Sequence, residues 1–146
     1  MCSSDLAIEM VNQAGGIRSL GKKVEAVVAD SETKPDIGAN QTERLITKDQ
    51  VTMLVGAYNS TVCFAASEVA QRYQVPWISM GGVQDQVTER GYEYVYRVNN
   101  KATYDVEEML KGLDLVEAEN NVKIQTYTLI YESRRQIGRA SCRERV

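Results

Sequence analysis

Histidine is absent from this 146-residue chain, and cysteine is limited to Cys2, Cys63 and Cys142, far apart in sequence. Without imidazole, His-based acid–base chemistry and the common zinc sites lose their main ligand, and three scattered thiols form no metal-binding set. No metal site is therefore expected, and His-based acid–base chemistry is excluded. Cys63 lies within a helical pattern, where a small buried thiol is the expected state rather than a nucleophile. Positive charge is also short: 17 Lys and Arg against 20 Asp and Glu give a net charge of −3 with the signs mixed. That balance lacks the basic footprint of a nucleic-acid binder, so no nucleic acid is expected as partner. No apolar run approaches bilayer length, and no secretory signal is read ahead of the first helix. The remaining composition is average, which bounds the chain to one ordinary globular domain.

Most of the information sits in residues 51–83, VTMLVGAYNSTVCFAASEVAQRYQVPWISMGGV. Val51, Met53, Leu54 and Val55 form a short apolar run that ends at Gly56, the profile of a strand buried on both faces. Helical spacing follows, with Val62, Ala65, Ala66, Val69 and Tyr73 on one stripe and Ser67, Glu68, Gln71 and Arg72 off it. Asn59, Ser60 and Thr61 at its start are all residue types that cap helices. Pro76 stops further helix, and Trp77, Ile78 and Ser79 make a second short strand ending at Met80, Gly81, Gly82 and Val83. Two parallel strands joined by a helix form a βαβ unit, whose loops at the strands' carboxyl ends are where such sheets bind ligands. A helix amino terminus carries unpaired amides and partial positive charge, so it attracts a carboxylate. Hydroxyls of Ser60 and Thr61 would add donors, and Gly81 and Gly82 would let a ligand approach the neighbouring backbone. The plainer alternative is that Ser60 is only a cap and the glycines only turn residues.

Elsewhere helices and strands alternate. A short helix over residues 6–14 ends at Gly15 and Gly16, residues 23–30 alternate as a strand, and Pro35 opens a helix to about Thr47 with Ile37, Ala39, Leu45 and Ile46 on its stripe. Residues 84–91 suggest one helical turn, and residues 92–98 a strand near an edge. A helix over about 103–113 carries Val106, Met109, Leu110 and Leu113, and Asn120 and Asn121 turn the chain into a last strand over 122–131. Tyr92, Tyr94 and Tyr96 could stack bases, but without flanking Lys or Arg strand packing is preferred. The pattern predicts an α/β fold with a doubly wound, mostly parallel sheet.

The two ends fit nothing around them. MCSSDL at residues 1–6 and QIGRASCRERV at 136–146 closely resemble translations of standard short-read sequencing adapters. Those segments are excluded from fold reasoning, leaving residues 7–135 as authentic protein; a natural basic tail is the alternative.

LAIEMVNQAGGI, GKKVEAVVADSETKP, VGAYNSTVCFAASEVAQRYQVPWISMGG and TERGYEYVYRVNN occur in that order, and on these motifs residues 7–131 resemble the amino-terminal lobe of the solute-binding proteins of ABC importers. The subgroup is the branched-chain amino acid and amide binders, leucine-binding-protein-like members of the type I periplasmic binding protein fold. The resemblance implies a binding protein and not an enzyme, with no cofactor and no catalytic residue: a Rossmann-like lobe, here incomplete, that traps a small polar solute against a second lobe. It implies the importer's membrane subunits as partners and a periplasmic or lipid-anchored extracytoplasmic location. Ser60 would correspond to the serine that contacts the ligand's carboxylate end, and Gly81 to a position giving backbone contacts. Tyr58, Asn59, Ser60, Thr61, Gly81, Gly82 and Val83 make up the candidate ligand-binding set.

Val83 stands where amino acid binders of this family often carry a threonine, which leaves amides, urea-like compounds and aromatic acids open as solutes. In that family a first strand lies between the strands assigned to residues 23–30 and 51–55. Its absence here would expose two strand edges, and without the second lobe this polypeptide is expected not to bind solute tightly. A ligand-sensing domain of a regulator or receptor on the same fold is the alternative function. A flavodoxin-like enzyme or phosphoacceptor is weaker, because the strand ends lack clustered acids or a glycine-rich phosphate loop.

Overall fold

The computed structural model describes residues 3–126 and divides the chain into two units, Met1–Glu107 and Glu108–Val146. The elements run α1 (Ser3–Gln13), α2 (Pro35–Thr47), β1 (Leu54–Val55), α3 (Ser60–Tyr73), β2 (Trp77–Ser79), a 3-10 turn (Asp85–Val87), β3 (Val95–Arg97) and α4 (Ala102–Asn120). The three strands form one parallel sheet in the order β1-β2-β3, with Leu54 opposite Trp77, and Trp77 opposite Val95. The expected α/β class with a parallel sheet is thus present, and α3 is the crossover that a parallel β1–β2 pair requires.

Local chemistry sets the helix ends. Pro35 supplies the fixed φ that suits a first helical position. Asn59 caps α3 through its side-chain oxygen, which accepts from the Thr61 amide at 2.9 Å. Gln74 ends the same helix in the left-handed region at φ 56°, its N–H reaching the carbonyls of Ala70 and Gln71.

The core is a small cluster in which Leu54, Cys63, Ala66, Ala70, Trp77, Val87 and Val95 are buried, with Leu45, Ile46, Val51, Phe64 and Tyr92 packed at its margin. Gly38 of α2 is needed there, since a β-carbon on it would lie 2.6 Å from Val62 Cγ1 of α3. Burial on α3 takes in Cys63, as expected, and also Ser67, which its polarity had placed off the stripe. Ser67 is tolerated because its hydroxyl donates to the Phe64 carbonyl at 3.1 Å and accepts from Arg90.

Several expectations are corrected. Residues 23–30 pair as a strand with nothing among the described residues. Their alternation is real, but a strand exists only where a neighbour takes its amides and carbonyls. Among the described residues the Asn12 side chain alone does this, bonding both ways to Val24 at 2.8 and 2.7 Å, while Val28 is left 82% exposed. The strand expected over 51–55 shrinks to Leu54–Val55 and is buried on one face only: Leu54 is buried, whereas Val55 is 54% exposed. The edge strand over 92–98 is Val95–Arg97, and α4 extends to Asn120, seven residues past the expected end. Leu115 and Val116 continue the helical pattern, and Asn121 at φ 49° turns the chain out of it.

Within the second unit the remainder of α4 is exposed, with Lys111 paired to Glu108, and the chain after it folds back so that the Ile124 amide donates to Glu117 Oε1 at 2.7 Å. Residues 122–126 form no strand; the rest of the strand expected over 122–131, Cys2, Cys142 and residues 136–146 lie outside the described residues.

Candidate functional site

Parallel strands end on one edge of the sheet, so the loops following β1, β2 and β3 gather there. Residues 56–59 lead from β1 into α3, residues 80–84 lead from β2 to the 3-10 turn, and residues 98–101 lead from β3 into α4. The first two loops meet closely. A β-carbon on Gly81 would lie 2.9 Å from Tyr58 Cα, and one on Gly82 would lie 2.6 Å from Cys63 Sγ and 3.5 Å from Ser60 Cα. The structure therefore brings Tyr58, Ser60, Gly81 and Gly82 together at the carboxyl edge. It also gives the two glycines a task the sequence did not reveal. They allow one loop to lie against the other, in addition to any approach of a ligand.

The polar groups divide into occupied and available. Asn59 Oδ1 accepts from both the amide and the hydroxyl of Thr61, at 2.9 and 2.6 Å, so these two side chains serve each other as a cap. Ser60 differs: its Oγ accepts from the Gln84 amide at 3.4 Å, which leaves the hydroxyl proton free to be given elsewhere. Tyr58 is 89% exposed and stands beside this junction, and Val83 is 42% exposed with no hydroxyl to offer. The Val83 carbonyl accepts from the Ala102 amide at 2.8 Å, tying the loop to the start of α4.

Two residues that the sequence reading left aside complete the loop's support. Arg97, the last residue of β3, donates to the Gly82 carbonyl at 2.8 Å, the Gln84 carbonyl at 2.6 Å, the Asn100 carbonyl at 3.3 Å and Thr88 Oγ1 at 3.3 Å. Asn99 Nδ2 donates to the same Gly82 carbonyl at 3.2 Å. The only signal in the sequence was position, since Arg97 closes β3 and Asn99 follows it at the edge where ligands bind.

Charge at this edge comes from three sources. The amino terminus of α3 and the Arg97 guanidinium, which forms no ion pair among the described residues, favour an anion. Asp85 opposes them. Its carboxyl accepts from the Thr103 hydroxyl, which holds it below the usual carboxylate range; burial opposes this, and the Thr103 amide, Lys101 and Arg97 add smaller effects in the lowering direction. Lys101 is itself paired with Glu89, which raises its pKa. No group of three or more metal-ligating side chains occurs among the described residues.

Comparison with known proteins follows the same lines. The family described as periplasmic binding protein matches residues 3–140. The Leu/Ile/Val-binding protein homolog 8 of Brucella abortus is 35% identical over 113 residues, which is 75% of this chain and 27% of that protein. Among solved structures, the branched-chain amino acid transporter substrate-binding protein LivJ of Streptococcus pneumoniae, in complex with isoleucine, is 33% identical with a TM-score of 0.62, covering 66% of this chain and 27% of that one. An ABC transporter solute-binding protein of Rhodopseudomonas palustris, in complex with 3,4-dihydroxybenzoic acid, is 25% identical with a TM-score of 0.58, covering 66% and 26%. The chain thus spans about a quarter of the length of the relatives it matches. It belongs to the periplasmic binding protein family, whose members bind solutes.

Proposed function

We propose that this chain is part of the amino-terminal lobe of an extracytoplasmic solute-binding component of an ABC importer, and that its solute is a small polar molecule bearing a carboxylate, an amino acid or a related acid. The observation that carries this reading is the Ser60 hydroxyl at the amino terminus of α3, its oxygen engaged by the Gln84 amide and its proton free. A donor of that kind beside unpaired helix amides suits one carboxylate oxygen. Asn59 and Thr61 shape the terminus, and the packing of Gly81 and Gly82 against Tyr58 and Cys63 sets the opposite wall. The wall is one-sided, so capture in the full-length protein depends on residues outside this chain. Delivery to membrane subunits and a periplasmic or lipid-anchored location belong to the same proposal, supported by membership of the periplasmic binding protein family.

Among relatives, the bound isoleucine of the Streptococcus protein and the dihydroxybenzoic acid of the Rhodopseudomonas protein share a carboxylate, the group this site suits. Calorimetric titration of the full-length gene product with L-leucine, L-isoleucine and 3,4-dihydroxybenzoate tests the reading. At least one carboxylate should bind at micromolar or tighter Kd, and Ser60→Ala should weaken it by about 1–3 kcal/mol. Binding of none of the three, or binding indifferent to Ser60, contradicts it.

A further inference from the structure

We propose that Arg97, assisted by Asn99, is the positioning residue of this site: its guanidinium fork fixes the Gly82–Gln84 loop so that the Gln84 amide engages Ser60 and turns the hydroxyl proton toward the solute. The inference rests on the proposed site and adds a residue and a means to it.

The geometry carries the argument. A serine hydroxyl rotates freely and can present either its proton or a lone pair, so a donor to a carboxylate must be oriented. Here the Gln84 N–H occupies the Ser60 oxygen at 3.4 Å, which biases the proton outward. That amide is useful only if the loop carrying it is held. Residues 80–84 belong to no helix or strand, and backbone of that kind is mobile unless other groups satisfy it. Arg97 spans the carbonyls of Gly82 and Gln84, on either side of Val83, with two different nitrogens at 2.8 and 2.6 Å. Asn99 adds a second donor to the Gly82 carbonyl. A planar fork reaching two carbonyls two residues apart fixes both the position and the plane of the intervening peptides, which a lysine ammonium cannot do. The anchor is itself well seated: Arg97 ends β3, in register with Ser79 of the central strand, and its Nε is directed to Thr88.

Arg97 therefore acts through the loop. Its charge is engaged by carbonyls instead of a carboxylate, so it also adds positive potential at the carboxyl edge without being in contact with the solute.

The test uses the full-length protein with Arg97→Met and Arg97→Lys. In the solute-free protein, hydrogen exchange of peptides covering residues 80–88 should accelerate about tenfold or more in Arg97→Met, with peptides from α3 unchanged and Arg97→Lys intermediate. Unchanged exchange in the loop, or equal acceleration of loop and α3, overturns the proposal, the second because it marks a general structural role. Binding supplies the second arm. Arg97→Met should weaken L-isoleucine about tenfold in the wild-type background and less than about threefold when Ser60 is already alanine, since both changes disable one device. Additive losses overturn the role assigned to Arg97. The binding arm is run with whichever of L-isoleucine, L-leucine and 3,4-dihydroxybenzoate binds; if none binds, or Ser60→Ala alone is silent, the proposed function fails while the exchange arm still decides the role of Arg97. Should Arg97→Met not fold, Asn99→Ala is expected to give the same pattern at smaller amplitude, and no effect of it on loop exchange counts against the proposal.

Discussion

Gly82 lies so close to Cys63 that a β-carbon built on the glycine would sit 2.6 Å from the cysteine sulfur, and the cysteine is completely buried. The sulfur has little freedom to retreat, because its thiol donates to the Ala57 carbonyl at 3.2 Å and Ser79 Oγ stands 4.0 Å away. The contact joins the loop after β2 to the first turn of α3, so the shape of the candidate site depends on the absence of one methyl group.

Gly82→Ala should therefore cost about 1–3 kcal/mol of stability through overpacking. Adding Cys63→Ala should recover part of that loss, because the sulfur is the nearest obstacle while Cys63 Cβ remains at 3.0 Å. Urea unfolding of the two variants measures this. A Gly82→Ala protein as stable as wild type would contradict the packing.

Arg90 is held between two rings, its guanidinium carbon 3.9 Å from the Phe64 centroid and 4.4 Å from that of Tyr92. It also donates to the Phe64 carbonyl and to the buried Ser67 hydroxyl. Arg90→Met keeps much of the apolar contact and removes the charge and the hydrogen bonds, and should destabilise by about 2 kcal/mol. Denaturation midpoints compared at equal slope would show it, and a loss under about 0.5 kcal/mol would mean that the stack contributes little.

Asp85 links the site loop to the first turn of α4 by accepting from the hydroxyl and amide of Thr103. Its pKa is lowered in the folded protein, chiefly by the hydroxyl. The stabilisation from this link is thus fully present above the ordinary carboxylate range and is lost as pH falls through the lower folded value. Thr103→Val should move the Asp85 titration back upward and lower stability at neutral pH, with the difference from wild type closing in acid. NMR titration of the Asp85 carboxyl checks this; a titration unaffected by Thr103→Val would remove the hydroxyl as its cause.

Val83 offers no hydroxyl at a partly exposed place on the site loop. If the solute is an amino acid, Val83→Thr should tighten it by about tenfold, the scale of one hydrogen bond to a charged group. The same change should leave 3,4-dihydroxybenzoate nearly unaffected. Parallel titrations separate the two, and equal effects on both solutes would deny Val83 a place near the polar end of an amino acid.

How much of this was legible depended on whether a feature is local. The cap at Asn59, the helix openings at Pro35 and Ser60 and the burial of Cys63 are written within a few residues, and the structure has them there, while α3 already stops at Gln74, ahead of Pro76. So is the βαβ unit, whose two strands carry the edge where Ser60 and Gly82 meet. What the sequence could not convey was partnership. The alternation of residues 23–30 is a strand pattern without a strand, because no described neighbour completes it, and the apolar run at Val51–Val55 promised two covered faces where only Leu54 is buried. Arg97 shows the same limit from the other side. An arginine closing a short strand gives no hint of which carbonyls it will reach, since Gly82 and Gln84 come into range only once β2 and β3 are paired.

The central claim is that the start of α3 receives the solute's carboxylate. The most direct measurement is a crystal structure of the full-length protein with L-isoleucine or whichever carboxylate binds it. A carboxylate oxygen within about 3 Å of Ser60 Oγ, with the Gln84 amide still on that hydroxyl, is the predicted result. A solute bound with its carboxylate away from Ser60 would contradict the account.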